Sequence, residues 1–198
     1  MHTPSALILI ANGTEEMELY CTSAFVPEPG SSLEDVNFEN NPPFAKGSRG
    51  IRIVPDTYFS PHDSTPDNFD VLVIPGGAKG AQTMSESPAV QELVRKYLDS
   101  DKFVGMVCAG SLTALTSKLP KQSLTSHPSV RDQLKDSFEY SEDPVVCSGK
   151  LITSSSAAPH FLPGTTFPFA LTLVELLCGK EKRSEVAGPM VFPAGTFA

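Results

Sequence analysis

FVGMVCAGSLTAL, residues 103–115, changes character at one position. Phe103 to Val107 are apolar and partly β-branched, as in a strand buried on both faces. Ala109 to Leu115 read as the start of a helix. Cys108 stands between them, at the tip of the strand, where the chain must turn sharply. The same succession of buried strand, small residues and helix recurs to either side. ALILIA (6–11) ends at Asn12-Gly13, and DVLVI (70–74) ends at Pro75-Gly76-Gly77. Ser87 can cap a helix that begins at Pro88, and AVQELVRKYL (89–98) carries an apolar face at helical spacing. LTALTSKL follows Cys108, a helical stretch over 128–138 follows His127, and FPFALTLVELLC (167–178) is a strongly apolar helix with Gly179 as its C-cap. Buried strands alternating with helices predict an α/β sandwich with a mostly parallel central sheet. The 198 residues suffice for one such domain.

Residues 19–50 depart from the pattern. LYCTSAFVPEPGSSLEDVNFENNPPFAKGSRG has prolines at 27, 29, 42 and 43 and little periodicity. A βαβ unit needs a crossover helix and a second strand here. The sequence predicts only a helical stub over 15–25, followed by loop.

Composition narrows the function. The net charge is −8 and the pI is near 4.9, which disfavours nucleic acid and anionic membranes as partners. No apolar run approaches the roughly 18 residues of a membrane span. MHTPSALILIANG lacks a basic leader and a long apolar core, so a reducing, cytoplasmic setting is expected, with the nucleus as a second compartment. The four cysteines, Cys21, Cys108, Cys147 and Cys178, show no ligand spacing, and the four histidines are scattered. No metal or cofactor is expected.

In open α/β sheets ligands bind beyond the carboxyl ends of the strands. Three such ends carry reactive or permissive groups. Cys108 would face the unpaired N–H groups of the helix that follows, which favour a thiolate. This is the logic of the nucleophile elbow, with sulfur in place of oxygen. A free cysteine is more often an inert packing group, but the strand tip before Ala-Gly reverses that preference. Gly76 and Gly77 let the backbone approach a ligand closely. An N–H there, with that of Ala109, could hold a developing oxyanion. Glu15, Glu16 and Glu18 crowd the start of the first helix. Acids there usually complement the helix dipole, but one turned inward beside the thiol would have a raised pKa and could move protons. The residues alone do not choose among the three. His127, at another helix start, is the natural proton partner for a thiol. His160, in AAPHFLPG, is the other candidate, and His2 and His62 look peripheral.

ALILIANGTEEMEL, VLVIPGGAKGAQTMSES, GMVCAGSLTAL, LTSHPSV and PGTTFPFALTLVELLCGKE together resemble the ThiJ/PfpI superfamily, and within it the DJ-one-type branch of glutathione-independent glyoxalases and protein deglycases. The resemblance implies a flavodoxin-like three-layer α/β sandwich. It implies Cys108 as nucleophile, Glu18 as the carboxyl that hydrogen-bonds the thiol and shuttles protons, His127 nearby, and Gly76, Gly77 and Ala109 as backbone donors. The implied reaction converts methylglyoxal to D-lactate, formally a D-lactate dehydratase, with glyoxal as a further small aldehyde and no cofactor. It also implies a homodimer. Two stretches differ from the family pattern. Residues 19–50 lack the expected apolar strand, and their prolines break a helix that relatives use at the dimer interface, which puts the dimer in question. Around 155–163 an insertion, SSSAAPHFLPGTT, carries no arginine. Three other readings use the same cysteine. A glutamine amidotransferase or cysteine peptidase needs a histidine followed two residues later by an acid, which neither His127 nor His160 has. A redox-responsive stress protein or chaperone would use the site to hold a cysteine sulfinate. An inactive paralogue or splice form would leave the site idle.

Overall fold

A computed structural model describes residues 3–25, 31–36, 43–155 and 164–192. In chain order its first elements are β1 (Ala6–Ile10), α1 (Glu16–Phe25), β2 (Ser32–Asp35), β3 (Ala45–Lys46), β4 (Arg52–Ile53) and β5 (Thr57–Tyr58). Next come β6 (Val71–Ile74), α2 (Ala78–Glu86), α3 (Pro88–Asp99), β7 (Phe103–Val107) and α4 (Leu112–Thr116). The chain closes with β8 (Ser123–Leu124), α5 (Pro128–Leu134), β9 (Glu139–Tyr140), β10 (Val145–Ser148), β11 (Leu151–Ser154), α6 (Thr166–Cys178) and α7 (Lys180–Ala187).

The continuous apolar runs become the centre of a seven-stranded sheet in the order β10-β11-β7-β6-β1-β2-β5. Every pairing in it is parallel except the β10–β11 hairpin. All residues of β1 and β6 are buried, as strands covered on both faces must be. Helices α1, α6 and α7 pack together on one side, and α2, α3, α4 and α5 on the other. The predicted flavodoxin-like sandwich is therefore the observed one. Leu7, Ile8, Leu9, Ile10, Leu72, Ile74 and Met106 are almost wholly buried. Each such side chain contributes roughly 1.5–3 kcal/mol. Ser87 caps α3 as expected, its hydroxyl accepting from the Val90 amide.

The stretch after α1 corrects the sequence reading. The first helix is described over Glu16–Phe25. Ser32–Asp35 then forms a strand, not a loop, paired with β1 from Leu7↔Ser32 to Ile10↔Asp35 and with β5 at Glu34↔Thr57. Its sequence, SLED, hides it. Glu34 and Asp35 are buried, and the Glu34 carboxylate accepts hydrogen bonds from the hydroxyls of Ser32 and Ser64. Burial was possible because those bonds replace water, and no apolar alternation remained to read. Further on, β3 and β4 form a small hairpin. The prolines at 27, 29 and 42, the 156–163 part of the insertion and His160 lie outside the described residues.

Candidate active site

Strand β7 delivers Cys108 to the carboxyl edge of the sheet. Val107 is still extended, and Cys108 then turns to φ 60 at the head of a 3-10 turn, Cys108–Ser111. That left-handed conformation costs a residue with a Cβ roughly 1–2 kcal/mol. Surrounding bonds hold it there. The His127 N–H donates to the Cys108 carbonyl at 3.1 Å, and the Ser111 hydroxyl donates to the Thr125 carbonyl at 2.9 Å. Cys108 is nearly buried, at 8% exposure, and lines the cleft described below.

Of the three acids at the start of α1, Glu18 is the one turned toward the cysteine. It is almost fully buried. Its Oε2 accepts the Gly76 N–H at 2.6 Å, and its carboxyl shares a hydrogen bond with the Cys108 side chain. Burial pushes this carboxyl up to about 7; the bonds to Cys108 and Gly76 oppose the rise, and the neighbouring charge of Glu15 adds to it. Glu15 has a local task, accepting the Glu18 N–H at 2.9 Å. Glu16 faces the β3–β4 hairpin instead, accepting from the Ser48 hydroxyl at 2.8 Å and the Arg49 amide at 2.7 Å.

Gly76 is required by space. A Cβ there would stand 2.5 Å from the Cys108 Cβ, 2.6 Å from the Glu18 Oε2 and 3.0 Å from the sulfur. Its N–H is committed to Glu18, so the oxyanion role expected of it from sequence is not open to it. Ala109 sits in the first turn after the cysteine, where N–H groups lack intrahelical partners. Gly77 takes φ 87 ahead of α2 and packs against the backbone of Gly13 and Glu15.

His127 is the N-cap of α5 and half-buried. Its Nδ1 accepts the Ser129 amide at 3.1 Å. A neutral ring with Nδ1 accepting carries its proton on Nε2. Burial holds the ring below the ordinary imidazole range, which keeps it neutral.

Cys108, Ala109 and His127 line one cleft of about 520 Å³ with Gln82, Leu112 and Val130. The sequence reading missed the α2 contribution. Ala78, Gln82, Ser85 and Glu86 all line the cleft. Their spacing places them on one helical face, so the signal was present once PGG is taken as a helix start. Among the described residues no group of His, Cys, Asp and Glu could hold a metal, and no helix is long and apolar enough to cross a membrane.

A strained cysteine between a parallel strand and a helix, backed by a buried carboxyl, defines an α/β protein of the cysteine-elbow class. The chain belongs to the DJ-1/PfpI family, whose model matches residues 4–176. It is 35% identical over 192 residues to the glutathione-independent glyoxalase DJ-1 of Schizosaccharomyces pombe, covering 94% of this chain and 97% of the relative. It is 33% identical over 188 residues to the glutathione-independent glyoxalase DJR-1.2 of Caenorhabditis elegans, covering 94% and 95%. The crystal structure of Drosophila melanogaster DJ-1beta superposes with a TM-score of 0.85 at 34% identity, covering 97% of this chain and all of that one.

Proposed function

We propose that this protein is a glutathione-independent glyoxalase that converts methylglyoxal to D-lactate, a lyase of the D-lactate dehydratase type. The observation that carries the reading is the Glu18 carboxyl, held near neutrality and hydrogen-bonded to Cys108. A group balanced between its two forms at working pH can both take and return a proton. Cys108 passes its proton to Glu18 and its sulfur adds to the aldehyde carbon; Glu18 returns that proton to the aldehyde oxygen, giving a neutral hemithioacetal and a free carboxylate. The proton on that carbon then leaves, forming an enediol, and returns to the neighbouring carbon. The resulting thioester is hydrolysed by one water, which restores the thiol and releases the 2-hydroxy acid.

The hydrogen bonding supports a division of these roles. With Nδ1 of His127 engaged by Ser129, its Nε2–H is a donor and can steady the substrate oxygen. Glu18 is left as the base. The Ala109 N–H serves the developing oxyanion. The names of the yeast and nematode relatives support the reaction class.

We also propose a second copy of the chain as partner. Met17 and Tyr20 on α1, and Ile51 and Val54 on the β3–β4 hairpin, are exposed at 47%, 47%, 50% and 74%. Glu16 ties the helix to the hairpin, so the two exposed apolar pairs stand on tethered elements.

The test is glutathione-free turnover of methylglyoxal with a stereospecific D-lactate assay. The parent should form D-lactate, Cys108→Ala none, and Glu18→Gln about a hundredfold less. Absence of D-lactate from a folded parent would overturn the reading. It would favour the redox reading, in which peroxide oxidises Cys108 and a protonated Glu18 donates to the sulfinate.

A further inference from the structure

A second cavity, about 540 Å³, lies beside the cysteine cleft at the same edge of the sheet. Asn12, Gly13, Lys46, Ser48, Ala78 and Lys79 line it. Ala78 lines the cysteine cleft too, so the two spaces adjoin across one residue. From Gly76, where an added Cβ would meet the sulfur, to Lys79 is three residues, at most about 10 Å of chain.

The cavity is fixed in place by the main chain. The Asn12 side-chain oxygen accepts the Lys46 N–H at 2.8 Å, and the Gly13 N–H donates to the Lys46 carbonyl at 2.7 Å. A Cβ on Gly13 would lie 2.7 Å from that of Lys79, so the Lys79 stem packs directly over the floor. Both lysines are exposed. Among the described residues no ion pair uses either of them. In a chain of net charge −8, two lysines on one cavity next to the nucleophile are a local reversal of sign. Glu16 is the adjacent carboxylate, lying against Gly47, which also lines the cavity. It stays ionised, because its bonds to Ser48 and Arg49 hold it below the usual carboxylate range despite burial. Two lysines and one carboxylate leave one positive charge, which suits a monoanion.

We propose that this cavity receives the carboxylate tail of the substrate, so that α-oxoaldehydes ending in a carboxylate are preferred over neutral ones of the same size. The proposal rests on the glyoxalase reading for its chemistry. The reacting end follows the same balance: the aldehyde carbon is oxidised to a carboxylate, the adjacent ketone is reduced to the hydroxyl, and one water is consumed. The tail carboxylate is unchanged and sits between Lys46 and Lys79.

The test compares 4,5-dioxopentanoate with its neutral methyl ester and with methylglyoxal. The enzymes are the parent and Lys46→Gln/Lys79→Gln, a double change at exposed positions outside the proton-transfer machinery. The parent should favour the acid over the ester in kcat/KM by roughly tenfold, through attraction by the two cations. The double variant should lose that preference and keep methylglyoxal turnover within about twofold, since methylglyoxal has no tail to bind. Equal rates for acid and ester in the parent, or a preference that survives the double change, would overturn the proposal. A binding measurement separates this failure from failure of the glyoxalase reading. The unreactive acid 4-oxopentanoate should slow alkylation of Cys108 by iodoacetamide in the parent but not in the double variant. That protection is scored whether or not the protein turns over methylglyoxal, and its absence from the parent overturns the proposal.

Discussion

Glu18 couples stability to chemistry at the level of one residue. Its carboxyl moves from the ordinary 4.5 to about 7 on folding, chiefly through burial. The folded protein therefore binds this proton more tightly than the unfolded chain does. The stabilisation is fully present below about pH 4.5 and is lost as the pH climbs through 7. The loss amounts to about 3 kcal/mol, from 1.36 kcal/mol per unit. Catalysis moves the other way, because the base form of Glu18 appears in the same interval. Urea unfolding at pH 5 and pH 8 should show the parent losing roughly 2–3 kcal/mol more than Glu18→Gln. Glu34, whose carboxyl is also raised by burial, titrates in both proteins and cancels in the comparison. Identical pH dependence in the two would remove Glu18 as the group near neutrality.

At the scale of the element, Gly105 explains how α6 lies so close to the sheet. It sits within β7, paired with Val73 on β6 and Ile152 on β11. A Cβ there would stand 2.7 Å from the tip of the buried Phe169 ring. Gly105→Ala should therefore destabilise the fold by about 1–3 kcal/mol through overpacking, read as a lower midpoint in urea. Gly105→Ala with Phe169→Leu should recover part of the loss, and a single change that leaves the midpoint unmoved would show that α6 is free to shift. Elements of this kind were legible in the sequence to the extent that burial was apolar. ALILI, VLVI and FVGMV announced themselves, as did the helix over 167–178. SLED did not, because its inward carboxylate is satisfied by Ser32 and Ser64, residues that no periodicity links. The site divided in the same way. The position of Cys108 followed from the strand-to-helix boundary. The choice of Glu18 over Glu15 and Glu16 depended on which face of α1 meets Gly76, and family resemblance supplied it before geometry did. The expectation that Gly76 donates to an oxyanion failed because its N–H has a carboxylate partner 58 residues earlier in the chain.

The whole molecule raises the question of how many chains make the working unit. The prolines after Phe25 argue against a regular dimer helix, yet α1 is helical over Glu16–Phe25. Met17 and Tyr20 project from it, and the hairpin carrying Ile51 and Val54 is bound to its first turn through Glu16. Four large apolar side chains on two tethered elements are costly to leave in water, at roughly 25 cal/mol per Å². A second copy of the same face would cover them in a self-complementary contact. The chain mass is 21.2 kDa. Sedimentation equilibrium should accordingly return about twice that value at micromolar concentration. Tyr20→Glu with Val54→Glu places like charges on both partners of a two-fold contact and should return the single-chain mass with an unchanged circular dichroism spectrum. Tyr20→Phe, which keeps the apolar ring, should leave the dimer in place. A parent that sediments at 21.2 kDa would mean that the exposed face has no self-partner. Because Glu16 and Glu18 share the first turn of α1, loss of the dimer should also disturb the cysteine site. The charged double variant is therefore expected to lower methylglyoxal turnover, with a smaller effect in Tyr20→Phe.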